Sequence, residues 1–383
     1  MENQLPLKGI NILDLTQVLS GPFATLILSD LGANVIKVEK SKGDDSRSFG
    51  PIKKNKSGYF ISLNRGKKSI KLDLKDKEDK RIFTDLIKKT DILVENFKVG
   101  VLDKLGFSWS KLKKNNPRLV YAKISGFGES GPLKNLPAYD VIVQAMGGIM
   151  SITGPSENNF TRVGSSIGDI TAGLYCAIGI LAALNERNKT NLGKKIDISM
   201  LDCQVAILEN AITRYSVSKK IPYPLGTDHP SISPFGAFKA KDSSVVLAAG
   251  NQKLFENLCK AISRKDLIQE KKYLNNELRN KNLKSLRREI EKTLKTKKAE
   301  HWIKKFRTFE VPCCKIENVK SLIKNPQIQN RNMILDYVDD DFGKINVVGN
   351  PIKIEGVKES KVASKAPDLD QNRLQILKEF GIT

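Results

Sequence analysis

The sequence predicts an α/β fold, with a Rossmann-like large domain built on a parallel sheet and a smaller α+β domain beside it. Three observations carry that expectation. Over the first half, short runs rich in Ile, Leu and Val alternate with stretches of helical period, the pattern of strand-helix-strand units. The segment SKKIPYPLGTDHPSISP, with four prolines, then interrupts the alternation. Lysine-rich helical sequence follows it, and strands return near the end. At 383 residues and 40% hydrophobic, the chain exceeds the size at which one core usually divides in two.

Ile10 to Asp14 reads as a short buried strand, Gly21 to Leu31 as a helix, and Asn34 to Val38 as a second strand ending in Glu39 and Lys40. The turn between them, TQVLSGP, lacks the glycine-rich fingerprint that lets backbone approach a pyrophosphate. That argues against a nicotinamide cofactor. Ser69 to Leu74 fits a strand, Lys77 to Lys89 an amphipathic helix, and Ile92 to Glu95 a buried strand followed by Asn96 and Phe97. Lys75, Lys98 and Lys104 fall just past strand ends or in loops, where an open parallel sheet binds ligands. On a chain this rich in lysine they also fit a plain solvated surface.

The stretch Gly131 to Cys203 holds two conspicuous carboxylates. Asp140 follows Tyr139 at the head of an apolar run, and Asp169 stands between Gly168 and the apolar segment Ile170 to Leu184. Ile170, Leu174, Ile178 and Leu181 recur at helical spacing with no proline, so Asp169 is expected at or just before the first turn of a buried helix. A carboxylate there meets unpaired N–H groups and the positive end of the helix dipole. It can be an ordinary cap, or a nucleophile kept ionised, with Gly168 leaving room for a substrate. Asp140 reads as a supporting group or as another cap.

Past this helix, Lys194 to Ile198 fits a strand and Met200 to Val217 a helix. After the proline-rich segment, which carries His229, a hairpin is expected with Ala237 to Lys239 against Val245 to Ala249. A loop histidine in such a place is usually a bystander. The segments DYVDD, INVVG and IKIEG read as strands, and Arg373 to Phe380 as a last helix.

Composition narrows the function. No apolar run is judged long enough to cross a bilayer, and the start MENQLPLKGI lacks the core of a signal peptide, so no membrane partner and a cytoplasmic location are expected. Five cysteines and two histidines, His229 and His301, show no metal-binding spacing, so no metal is expected. Scarce histidine also disfavours Ser-His or Cys-His catalysis. The formal charge of +23 is spread over nearly every polar segment rather than focused in a module, which excludes specific nucleic-acid binding and favours anionic substrates.

The words GP-x4-P-x-YD-x3-QA-x-GG-x-MS-x-TG and GD-x3-G, in this order, resemble the family III CoA-transferases, also called the CaiB/BaiF family. The resemblance extends through LKGINILDLTQVLSGPFATLILSDLGANVIKVE, DILVENFKVGVLDKLGF, NPRLVYAKISGFGESGP and HPSISPFGAFKAKD, and weakens after about Lys260. It implies a CoA-transferase in which the GD aspartate, Asp169, is acylated, with Tyr139 and Asp140 beside it. It implies that Leu19, Ser20, Lys40, Leu72, Lys75, Asn96, Phe97, Lys98, Lys104, Pro137 and Ala138 contact coenzyme A. The CoA thioester is then a substrate, and no cofactor is held permanently. Lysine at positions 40 and 104, where some relatives carry arginine, keeps the charge and loses a bidentate grip. Relatives acting as 2-methylacyl-CoA racemases carry histidine where this chain has Tyr139, whose phenol is a poor base, so transfer is favoured over racemisation. The resemblance also implies an interlocked homodimer and a large domain made of residues 1–218 and 331–383, with residues 219–330 forming the linker and small domain.

Overall fold

The structure, a computed structural model, describes residues 5–382. In the first half the alternation becomes β1 Asn11–Asp14, α1 Ser20–Asp30, β2 Asn34–Glu39, α2 Gly58–Asn64, β3 Lys68–Lys71, α3 Lys77–Lys88, β4 Ile92–Glu95, β5 Val120–Ser125, α4 Asp140–Met146, α5 Ile167–Thr190, β6 Lys195–Ser199 and α6 Met200–Ala206. The six strands form one sheet in the order β3-β2-β1-β4-β5-β6, and every pairing is parallel. Strand order reverses between β1 and β4. In a doubly wound sheet, that switch point is where the strand ends open a crevice.

Successive strand residues point to opposite faces, so each strand feeds two cores. Ile12 and Val35 pack with α1 and α5 on one face; Leu13 and Ile36 pack with α3 on the other. Burial on both faces explains why strands such as ILVE at β4 read as continuous apolar runs.

The chain divides into two compact units. One comprises Met1–Ile149, Arg162–Val217 and Asn325–Thr383; the other comprises Met150–Thr161 and Ser218–Lys324. The expected bounds put Met150–Thr161 in the large domain. In the second unit, β7 Phe235–Lys239 pairs antiparallel with β8 Ser244–Ala248, Val245 opposite Phe238. Cys313–Lys315, β9, adds a third strand along β8, which accounts for the adjacent cysteines. Helices α7 Gln252–Ala261, α8 Leu283–Leu294 and α9 Ala299–Thr308 close over this sheet through Phe255, Ile290 and Trp302. His229 braces its own turn here, accepting the Ser231 N–H on Nδ1 at 3.1 Å.

Back in the first unit, β10 Ile334–Asp339 and β11 Gly343–Val348 form a hairpin, and α10 Arg373–Glu379 buries Ile376 against the α3 side of the sheet.

Three expectations need correction. The helix expected over Met200 to Val217 stops at Ala206, and Glu209 adopts a left-handed φ of 54° before a new helix begins at Ala211. The segment IKIEG is irregular, not a strand. And α5 is, by length and composition, apolar enough to cross a membrane, which the sequence reading denied; half of its apolar window is buried inside the protein.

Candidate active site

Asp169 lies in the first turn of α5, two residues beyond the first helical position. Ser166, the residue before the helix, makes no side-chain cap. Asp140, the first residue of α4, supplies it instead: its Oδ1 accepts the Gly168 N–H at 2.8 Å. Its Oδ2 accepts from Gln144 Nε2 at 2.7 Å, and Gln144 Oε1 accepts the Val163 N–H at 2.9 Å. The Arg162 guanidinium stands 3.5 Å from the same Oδ2. Asp140 thus does the capping that the helix's own residues do not, and Asp169 is freed from it.

Two glycines make the arrangement possible. A Cβ on Gly168 would sit 2.6 Å from Val143 Cγ2 and 3.0 Å from Asp140 Oδ1, so this glycine admits α4. The expectation that Gly168 clears space for substrate is corrected accordingly. A Cβ on Gly173 would sit 2.7 Å from the Ser20 carbonyl and 3.0 Å from Phe23, so this glycine brings α5 against the start of α1. At that contact the Ser20 hydroxyl and N–H lie on the side of Asp169 and favour its ionised form.

Burial, and after it the negative charge of Asp140, push the Asp169 carboxyl up from its usual range to about 7; the two Ser20 donors pull the other way. Among the described residues no cation pairs with Asp169. Tyr59, on α2, feels the same charge: burial first, then Asp169, Asp44 and Asp140, raise its phenol to about 12. The phenol therefore stays protonated beside the carboxylates, available as a donor.

Beneath the turn from β1 to α1 lies a layer of buried charge. Lys67 Nζ, fully buried, meets Asp14 Oδ2 at 3.0 Å, Thr25 Oγ1 at 2.8 Å and Asn64 Oδ1 at 2.9 Å. Lys37 Nζ, equally buried, pairs with Asp44 at 2.8 Å. Farther along the sheet, Lys123 pairs with Glu95 at 2.7 Å, and the other Glu95 oxygen accepts the Phe97 N–H. These three lysines are internal counter-ions, whereas Lys75, Lys98 and Lys104 are exposed.

The residues expected at coenzyme A divide into two groups. Lys40, Leu72, Lys75 and Phe97 line one cleft of about 170 Å³ at the strand ends, together with Gln17, Val101 and Leu105. Lys40 is ion-paired with Asp45 at its rim. Lys98 and Lys104 are exposed nearby, Lys104 on the short helix Val101–Lys104. The others sit elsewhere. Ser20 faces Asp169, Leu19 is the residue before α1, and Asn96 turns its amide onto the Gln17 backbone. Ala138 packs against Gly126, and Pro137 is exposed next to Tyr139, which is 75% exposed and makes no cap for α4. Tyr59 and Ser20 as neighbours of Asp169 escaped the sequence reading, because both come from distant segments and neither has a telling local pattern.

Among the described residues no group of three or more His, Cys, Asp or Glu could hold a metal. Fold and site together define a doubly wound α/β protein with a raised carboxylate at the start of α5, near the turn that follows β1. Comparison with known proteins narrows that class: the sequence model of CoA-transferase family III matches residues 7–373, and the chain belongs to that family. It is 42% identical to the acetyl-CoA:oxalate CoA-transferase of Acetobacter aceti, covering 98% of this chain and 96% of that one. It is 37% identical to the human succinyl-CoA:glutarate CoA-transferase, covering 99% and 87%. A CaiB/BaiF family protein from Brucella suis superposes with a TM-score of 0.86 at 33% identity, over 98% and 99% of the two chains.

Proposed function

We propose that this enzyme moves coenzyme A from a small acyl-CoA to a dicarboxylic acid through covalent intermediates on Asp169. The observation that carries the proposal is the setting of that carboxylate, in the first turn of α5 close to Ser20 and Asp140, with no cation paired to it among the described residues. The relatives named for oxalate and glutarate support a dicarboxylate acceptor. The basic composition suits two anionic substrates.

Asp169 attacks the thioester carbonyl; the C–S bond breaks, coenzyme A leaves as thiolate, and an aspartyl acyl anhydride remains. The thiolate then attacks the aspartyl carbonyl, expelling the donor acid and leaving Asp169 as a CoA thioester. The acceptor carboxylate opens that thioester to a second anhydride, and the thiolate takes the acceptor's acyl group, restoring Asp169. Each tetrahedral oxyanion needs a donor, and the protonated Tyr59 phenol is the side chain best suited to supply one. Water has to be excluded while either anhydride stands. Tyr139 offers no base for removing an α-proton, which weighs against racemisation.

A homodimer is part of the proposal. Leu174, Tyr175, Ile178 and Leu181 of α5, with Val141 and Ile142 of α4, leave an exposed apolar surface of the kind that a second copy would cover.

The test is to incubate the enzyme with succinyl-CoA or acetyl-CoA and a panel of acids including oxalate and glutarate, following new thioesters. Hydroxylamine should trap an Asp169 hydroxamate, and Asp169→Ala should abolish both signals. Loss of an α-deuterium from a 2-methylacyl-CoA without transfer would refute the assignment.

A further inference from the structure

The loop that leads into α5 is tied to α4 by two side chains. Gln144, fully buried on α4, donates from Nε2 to Asp140 Oδ2 at 2.7 Å and accepts the Val163 N–H on Oε1 at 2.9 Å. Asp140 Oδ1 accepts the Gly168 N–H at 2.8 Å. Val163 and Gly168 are thus fixed to one helix, and the residues on their outer sides are Arg162 and Asp169. A short, clamped loop therefore has a guanidinium at one end and the carboxylate of α5 at the other.

Arg162 is a cation that this clamp leaves uncommitted. Its guanidinium stands 3.5 Å from Asp140 Oδ2, its side chain is 47% exposed, and it makes no hydrogen bond among the described residues. Each Asp140 oxygen already has a closer donor in Gly168 or Gln144, so Asp140 holds the guanidinium nearby by charge and occupies none of its N–H groups. Arg47, Arg65 and Arg187 of the same unit are committed instead, meeting Glu39 at 2.7 Å, Asp30 at 2.6 Å and Asp91 at 3.0 Å. A planar fork of donors left half in solvent suits bidentate recognition of a carboxylate. An acid with one carboxylate offers Asp169 only the group that reacts. A dicarboxylate brings a second negative charge toward Asp140 and Asp169, and a cation is needed to offset the repulsion.

We propose that Arg162 binds the non-reacting carboxylate of the substrate acid and so sets a preference for dicarboxylates over monocarboxylates. This rests on the reading of Asp169 as the nucleophile. Gln144 and Asp140 keep the guanidinium alongside the loop that opens α5, so that a short acid reacting at Asp169 can turn its other end toward it. One contact then serves both halves of the reaction. A succinyl donor and a glutarate acceptor each carry a free carboxylate at the end away from the reacting carbon. An acetyl group carries none and gains nothing from Arg162.

The test uses the full chain with Arg162→Leu and Arg162→Lys. It reads the second-order rate of hydroxylamine-trapped Asp169 adduct formation from each donor, and glutarate binding by calorimetry with free coenzyme A present. In Arg162→Leu the ratio of the succinyl-CoA rate to the acetyl-CoA rate should fall about tenfold, and the Kd of glutarate should rise by a similar factor, as loss of a charge-assisted contact does. Arg162→Lys keeps the charge without the fork and should fall between the parent and Arg162→Leu in both measurements. An unchanged donor ratio or an unchanged glutarate Kd overturns the proposal. So does an equal loss with both donors and a lower melting temperature, the mark of a merely structural role. A parent that binds no glutarate overturns the carboxylate subsite. If the parent itself forms no Asp169 adduct, it is the nucleophile reading that fails. The glutarate Kd then still decides Arg162: weaker binding in Arg162→Leu supports the subsite, and equal binding overturns it.

Discussion

Two carboxylate settings within one unit, one buried and one half-buried, make the instructive comparison. Asp14, at the end of β1, is fully enclosed, yet its carboxyl is held well below the usual range: burial opposes ionisation, and the charges of Lys67 and Lys37 with the hydroxyls of Thr16 and Thr25 overcome it. Asp169, half-buried at the start of α5, meets desolvation with a like charge, Asp140, instead of a cation, and its carboxyl rises to about 7. The same residue type in one polar layer thus becomes a permanent anion in one place and a poised group in the other. The counter-ion makes the difference. A carboxylate matched by two lysines is held ionised, while one beside a like charge keeps its proton to higher pH.

The contrast is broken most severely by removing each carboxylate in turn. Asp169→Asn should lower turnover by about a thousandfold or more, as loss of a covalent nucleophile does, with the melting temperature unchanged or raised. Its raised carboxyl works against the fold as pH climbs: the folded state binds that proton more tightly, so stability present below the unfolded value near 4 is lost as pH rises toward 7. Asp14→Ala should do the opposite. It strands Lys67 in the interior without its ion-pair partner and should cost about 3 to 5 kcal/mol in denaturant unfolding. Equal stability losses in the two variants would erase the distinction.

How much of this was legible beforehand follows the same division. The strand Ile92–Glu95 and the helix from Lys77 could be read to within a residue, because two-sided burial writes a continuous apolar run and α3 is amphipathic. Asp169 could be placed at a helix start, but its chemistry came from the GD motif, since periodicity cannot separate a cap from a nucleophile. The Asp140 cap of Gly168 spans 28 residues of sequence, and the Ser20 and Tyr59 contacts span far more, so local pattern held no trace of them. The buried Lys37, Lys67 and Lys123 left no local signal for a related reason: side-chain type predicts exposure, and only the fold reveals an internal partner. Met150–Thr161 belongs to the second unit by contacts such as the one from the Gly226 N–H to the Gly154 carbonyl, again nonlocal.

Gly168→Ala probes the architecture between the two settings. The added methyl meets Val143 and Asp140, neither of which is the far end of a flexible chain, so α4 must shift. A loss of about 1 to 3 kcal/mol is expected by calorimetry, with turnover falling as Asp140 moves off its cap. If stability holds, Gly168 is after all a substrate clearance.

The mildest intervention sharpens the comparison furthest, because it removes a charge and keeps the Gly168 cap, at the cost of the Gln144 hydrogen bond. Asp140→Asn keeps an oxygen able to accept the Gly168 N–H and removes the like charge beside Asp169. In the parent, activity should rise with pH through about 7 as the nucleophile ionises. In the variant that limb should move toward lower pH, by on the order of one pH unit, since a neighbouring anion no longer opposes ionisation. Burial, the larger cause, stays in place, so the limb should remain above the ordinary aspartate range. A limb that does not move would mean that desolvation alone sets the nucleophile, and that Asp140 serves the helix without tuning the chemistry.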